Sequence, residues 1–239
     1  MPDRPTLLLL PGTLCDERLW AGVTPQLRQQ VACQHIAWGG ERTAAEAAAR
    51  VLREAPPRFA LAGMSMGGSV ALEICAQAPQ RVRALALISC QPRGDVPGSA
   101  QARAGDVAHA RLHGIAALVR ERLWSRYVHP CHLDDAPMLA AVLAMAQDAG
   151  VQAYETQHLL LASRRDHLDT LAALDVPVLV AGGDADQLCP PSAQSDMADR
   201  VRQAVRVQLS GCGHLSPLEA PQALAAVMAE WLSTLTGTA

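Results

Sequence analysis

Apolar residues in this chain come in short unbroken runs, separated by stretches whose apolar positions repeat with a helical spacing. Thr6–Leu10 (TLLLL) is continuously apolar and ends at Pro11-Gly12, the pattern of a strand covered on both faces. Val31–Trp38 reads as a weaker strand ended by Gly39-Gly40. Arg58–Met64, Val82–Cys90, Pro177–Gly183 and Val205–Leu209 read as further strands. Thr43–Glu54 (TAAEAAARVLRE) reads as a helix: Thr43 caps it, Glu46 completes a capping box, and Pro56-Pro57 stop it. Met66–Gln77, Ala193–Arg202 and Gln222–Leu235 are the other helices between or after strands. Beyond the loop QPRGDVPGS the alternation ceases. Only helical patterns follow, over Ala100–Leu118, Ile115–Tyr127, Ala136–Asp148 and Gln152–Ser163.

Strand–helix alternation predicts an α/β fold with a mostly parallel sheet, helices on both faces and right-handed crossovers. The stretch without strands predicts a division into a core, residues 1–93 and 175–239, and a helical insertion, residues 94–174, placed before the penultimate strand. Such an insertion is a natural lid. The length of 239 residues suits one domain of this class.

Composition then narrows the function. All 20 basic residues are arginine, and lysine is absent, which excludes Schiff-base chemistry, a P-loop lysine and a pyridoxal phosphate anchor. Aromatic residues make up 3% of the chain and the formal net charge is −3, so neither base-stacking platforms nor an electrostatic footprint for nucleic acid is present. The four-leucine run near the start is too short for a signal peptide, and no stretch approaches the roughly 20 apolar residues of a membrane span. Seven cysteines without paired spacing read as reduced thiols of a cytoplasmic protein.

Chemistry enters with Gly63-Met64-Ser65-Met66-Gly67, a G-x-S-x-G pattern between a predicted strand and a predicted helix. Glycines at 63 and 67 relieve the collisions of a strained turn in which strand and helix come close. The turn sets the Ser65 hydroxyl above the carboxyl ends of the strands, at a helix N-terminus. Behind the fifth predicted strand, GGDADQLCP offers Asp184 and Asp186, and Asp95 is a weaker alternative acid. Behind the last strand, LSGCGH places His214 in a glycine-rich loop.

Four segments together, LLLPGTLCDERLW, LAGMSMGGSVALEI, PVLVAGGDADQLCP and LSGCGHLSPLEAPQALAAVMAEWL, resemble α/β-hydrolase-fold serine hydrolases over nearly the full length. The similarity is to the pimeloyl-ACP methyl ester carboxylesterase and 3-oxoadipate enol-lactonase type. The resemblance implies the chain order nucleophile, acid, base, hence Ser65, Asp186 and His214. The family spacing G-x-x-D-x-x-x-P selects Asp186 through Gly183 and Pro190, leaving Asp184 as a turn residue that bonds its own backbone. It also implies an oxyanion hole from the N–H groups of Met66 and Thr13. Leu14, Trp20 and Met64 are expected to line the acyl pocket. Pro11 departs from the family, where histidine is common before the glycine, and the start of the chain at the family's third strand predicts about six strands.

The implied activity is hydrolysis of a small or medium carboxylic ester, lactone or thioester through an acyl-enzyme, without cofactor or metal. The implied partner is a small-molecule acyl substrate, and no pattern speaks to an oligomeric state. A ligand-binding protein with little turnover, or a C–C hydrolase or perhydrolase of the same fold, is the alternative. His109 and His113 share a helix face, and HPCH spans His129–His132, but without an HExxH glutamate they read as polar lid residues rather than zinc ligands. Cys189 and Cys212 flank the acid and base loops and read as small buried residues. Arg164 and Arg165 read as a solvated hinge, with binding of an acidic substrate group as the alternative.

Overall fold

The structure is a computed structural model and describes residues 4–95 and 98–235. Val96 and Pro97, in the loop expected after the fourth strand, lie outside the described residues, as do residues 1–3 and 236–239 of the predicted core.

Six strands, β1 (Thr6–Leu10), β2 (Ala32–His35), β3 (Phe59–Met64), β4 (Val82–Ile88), β5 (Val178–Gly183) and β6 (Ala204–Leu209), form one parallel sheet in the order β2-β1-β3-β4-β5-β6. The apolar runs are continuous because both faces are covered. Leu7, Leu9, Ala60, Ala62, Ala84 and Ala86 enter one core, and Leu8, Leu10, Leu61, Leu85 and Leu87 enter the other. Helix Pro221–Ser233 brings Leu224, Met228 and Leu232 to the first face. Helices Ala44–Glu54 and Met66–Gln77 cover the second with Ala47, Val51, Val70 and Ile74. Burying each large aliphatic side chain stabilises the fold by about 1.5–3 kcal/mol. The strands at the two ends, β2 and β6, are more exposed, which is why their sequences are less apolar.

Between β4 and β5 the described chain is helical: Ser99–His113, Ile115–Leu118 running through a π turn into Trp124–Tyr127, Ala136–Ala162, and Leu168–Ala172. The first helix stops five residues earlier than the sequence pattern suggests, because Gly114 turns to φ +86°. The two helices expected over 136–148 and 152–163 are continuous across a kink at Gly150, φ +78°. Two short helices, Glu17–Trp20 and Thr24–Leu27, occupy a stretch where the apolar pattern marks none. Asp16 starts the first by accepting from the Arg18 N–H.

Helix Ala44–Glu54 begins as its sequence predicts. Thr43 Oγ1 accepts from Glu46 N at 3.1 Å, and the Glu46 carboxylate accepts from Thr43 N at 3.2 Å. Replacing Thr43 by Ala removes one acceptor from this reciprocal pair. The expected cost is about 1 kcal/mol of global stability, read from the midpoint of urea unfolding at unchanged slope.

Candidate active site

The site begins with a steric constraint. A Cβ at Gly63 would stand 2.4 Å from the Gly67 carbonyl oxygen, and one at Gly67 would stand 2.2 Å from the Leu10 carbonyl oxygen. β3, its following helix and β1 therefore meet at van der Waals contact. The chain must reverse within one residue, and Ser65 does so at φ +52°, ψ −115°. A non-glycine residue there is strained, and such strain is held only by well-packed surroundings. Helix Met66–Gln77 starts immediately after Ser65 and directs its free N-terminal amides at the same point.

Two loops bring the partners. Asp186 follows β5. Its Oδ1 accepts from Leu188 N and Cys189 N, both at 2.9 Å, which fixes the carboxylate. His214 follows β6, held by its own N–H to the Tyr127 carbonyl at 2.8 Å. His214 Nδ1 lies 2.9 Å from Asp186 Oδ2, and His214 Nε2 lies 2.9 Å from Ser65 Oγ. Asp186 and His214 are each 3% exposed, so water does not compete for these bonds.

The profile of the alpha/beta hydrolase family matches residues 7–227. The chain belongs to this family. Over 238 residues it is 24% identical to a pimeloyl-acyl-carrier-protein methyl ester esterase of Nitrosomonas europaea, covering 91% of this chain and 92% of that protein. A thermophilic esterase of Thermogutta terrifontis, solved with malate bound, superposes with a TM-score of 0.86 at 24% identity, covering 98% of this chain and 91% of that one. An enol-lactonase of Burkholderia xenovorans superposes at 0.85 and 21% identity, covering 97% and 92%.

In this alpha/beta hydrolase a cleft of about 210 Å³ opens above Ser65, with Gly12, Thr13, Met64 and Cys189 among its walls. Thr13 Oγ1 is 3.8 Å from Met66 Sδ, so the loop after β1 closes onto the start of the helix after Ser65. Among the described residues neither the Thr13 nor the Met66 N–H donates to another backbone group. Met66 keeps its side chain buried in the core.

Several expectations change. Met64 lines the cleft, but Leu14 and Trp20 do not. The Asp16-capped turn points Trp20 into the core beneath the sheet. Leu14 stands at φ +58°, its side chain buried in the same core and its N–H given to Gln157 Oε1 at 2.9 Å. Asp184 does not bond its own turn. It accepts from Ser210 Oγ, Gly211 N and Cys212 N, latching the acid loop to the histidine loop. Burial pushes the Asp184 carboxyl up, but these three donors outweigh it and hold the group below the usual carboxylate range. Asp95 is paired with Arg103, and Arg165 with the buried Glu73. His109 lies 3.0 Å from Glu121. Cys189 Sγ stands within 4.8 Å of ligand atoms of both Asp186 and His214, and burial pushes its thiol well above the usual range. No helix among the described residues is long and apolar enough to cross a membrane.

Glu219 has no mark in the sequence patterns. Its Oε2 accepts from Gly213 N at 2.9 Å and His129 N at 2.7 Å, tying the histidine loop to the helical segment. Burial pushes its carboxyl above the ordinary value, and the two amides offset this only in part. The folded protein thus holds this proton more tightly than the unfolded chain, and stability from this group falls as pH rises through the raised pKa. Glu219→Gln keeps a carbonyl acceptor and carries no charge. Thermal unfolding should show it gaining on the wild type as pH rises above the ordinary glutamate value of about 4.3.

Proposed function

We propose that the protein is a serine hydrolase that cleaves carboxylic esters through an acyl-enzyme. The observation that carries this reading is the unbroken hydrogen-bonded line from Asp186 through His214 to Ser65, ending at the cleft. A serine hydroxyl attacks a carbonyl only when a base takes its proton as the bond forms. His214 Nε2 is in reach to do so, and Asp186 holds Nδ1 as the protonated nitrogen and stabilises the imidazolium that results.

Attack moves negative charge onto the carbonyl oxygen. The Thr13 and Met66 amides are the donors for that oxygen, and preorganised donors of this kind contribute about 2.7–4 kcal/mol each to transition-state stability. The positive end of helix Met66–Gln77 adds to the same field. His214 then protonates the leaving alcohol. Water enters, His214 deprotonates it, and hydrolysis of the acyl-enzyme returns Ser65. Residues 94–174 serve as the lid that shapes the acyl pocket, and the seven free cysteines agree with a reducing, cytoplasmic setting.

Ser65→Ala should lower kcat on an activated ester by a factor on the order of 10⁶. Asp186→Asn should lower it by about 10⁴, because the wrong histidine tautomer is then favoured. A fluorophosphonate probe should label Ser65 in the wild type and fail to label it in His214→Ala. Full turnover by Ser65→Ala overturns the reading.

A further inference from the structure

The floor of the cleft holds Ser65 and His214, and its roof carries arginines. Three guanidinium groups, from Arg103, Arg126 and Arg164, line the cleft together with one carboxylate, Asp106. Asp106 is shared by Arg122 at 3.3 Å and Arg126 at 3.5 Å, both half-exposed. The other two arginines are more deeply placed. Arg103 and Arg164 are 13% and 12% exposed, and both lean on Asp95, itself 20% exposed.

The sharing is unequal. Arg103 grips the Asp95 carboxylate with both terminal nitrogens. Arg164 spends its Nε on the Leu161 carbonyl at 2.9 Å, and its Nη2 stays 3.7 Å from Asp95, beyond hydrogen-bonding distance. Among the described residues neither terminal nitrogen of Arg164 meets an acceptor. Two largely buried cations thus face one anion, and the fork of Arg164 has open donors in the cleft. A largely buried guanidinium whose terminal nitrogens lack a hydrogen-bonded acceptor favours an anion that supplies one. Its planar fork matches a carboxylate with two parallel bonds.

A second group points the same way. His158 lines the cleft, packs edge-on against Tyr154 at 4.2 Å, and has both ring nitrogens buried without a partner. Burial first, and Arg103 second, pull its pKa down to about 4, so at neutral pH it is an uncharged ring with one N–H to give. Arg164 lines the cleft together with Leu188 and Cys189 of the acid loop, and Cys189 adjoins Asp186 and His214. The open donors therefore lie on the acid-loop side of the triad. At about 210 Å³ the cleft is below the usual range of roughly 300–1,000 Å³ for ligand pockets, which suits a short molecule.

We infer that Arg164, backed by Arg103 and with His158 on the same cleft wall, forms an anion subsite that selects short esters bearing a free carboxylate away from the scissile bond. The inference rests on the ester-hydrolase reading for its reaction and on the roof of the cleft for its selectivity. Around the open fork itself, Arg103 and Arg164 set two cations against the one Asp95 carboxylate, and that local excess of one charge matches a carboxylate better than a phosphate dianion.

Two measurements test it. The first is kcat/KM for monomethyl glutarate against its neutral isostere, the methyl ester of glutaric acid monoamide. The wild type should prefer the carboxylate at least about tenfold, the range of a hydrogen bond to a charged group. Arg164→Gln should abolish the preference and Arg164→Lys should keep part of it. The second is calorimetric titration of glutarate, and of glycerol phosphate, into the Ser65→Ala protein with and without Arg164→Gln. Glutarate should bind more tightly than the phosphate and weaken at least about tenfold without the arginine. Arg164-dependent glutarate binding with no turnover of either ester would sink the catalytic reading and leave the subsite standing. Equal turnover of both esters, insensitive to Arg164, would sink the subsite and leave the catalytic reading. Tighter binding of the phosphate overturns the choice of carboxylate.

Discussion

The closeness of β1, β3 and the helix that follows β3 is the constraint on which the rest depends. With carbonyl oxygens 2.2 Å and 2.4 Å from where side chains would begin, Gly67 and Gly63 cannot be replaced without moving backbone. That contact forces the reversal at Ser65, and the reversal lifts its hydroxyl off the sheet while starting a helix at the same point. The lifted Ser65 hydroxyl, the free Met66 amide and the favourable helix field thus follow from one packing decision. The sheet supplies the rigidity that sustains the strain, since both of its faces are covered by apolar side chains.

The acid and base loops show a different economy. Each leaves the carboxyl end of its own strand, but neither holds its shape alone. Asp184 reaches across to the amides of Gly211 and Cys212, and Glu219 reaches back to Gly213. The helical segment between β4 and β5 joins in, with the Tyr127 carbonyl binding the His214 amide and Gln157 binding the Leu14 amide in the loop after β1. The segment that roofs the cleft therefore also positions His214 and the first loop, which couples the roof to the geometry of the floor.

Floor and roof differ in chemistry for a physical reason. Under the proposed reaction the floor carries out acyl transfer, which asks for the same donors and base whatever the acyl group. The roof carries the charges, four arginines against two aspartates, and charge in a desolvated cleft discriminates between ligands more sharply than apolar surface does. A family shared across esterases and lactonases is thus compatible with a narrow preference in this chain.

The sequence by itself determined the alternation of elements, the parallel sheet, the elbow at Ser65 and the loops bearing Asp186 and His214. These rest on short-range rules: apolar periodicity, glycine where side chains collide, caps and breakers. The capping box at Thr43 and Glu46 was legible for the same reason. The helix end at Gly114 and the kink at Gly150 depend on where a glycine adopts positive φ, which packing selects. The true task of Asp184, the turning of Leu14 and Trp20 into the core, the clamp of Glu219 and the unequal hold of Arg103 and Arg164 on Asp95 were decided only by the tertiary structure. Each joins segments far apart in the chain, and no local pattern encodes which distant charge or carbonyl a side chain will meet.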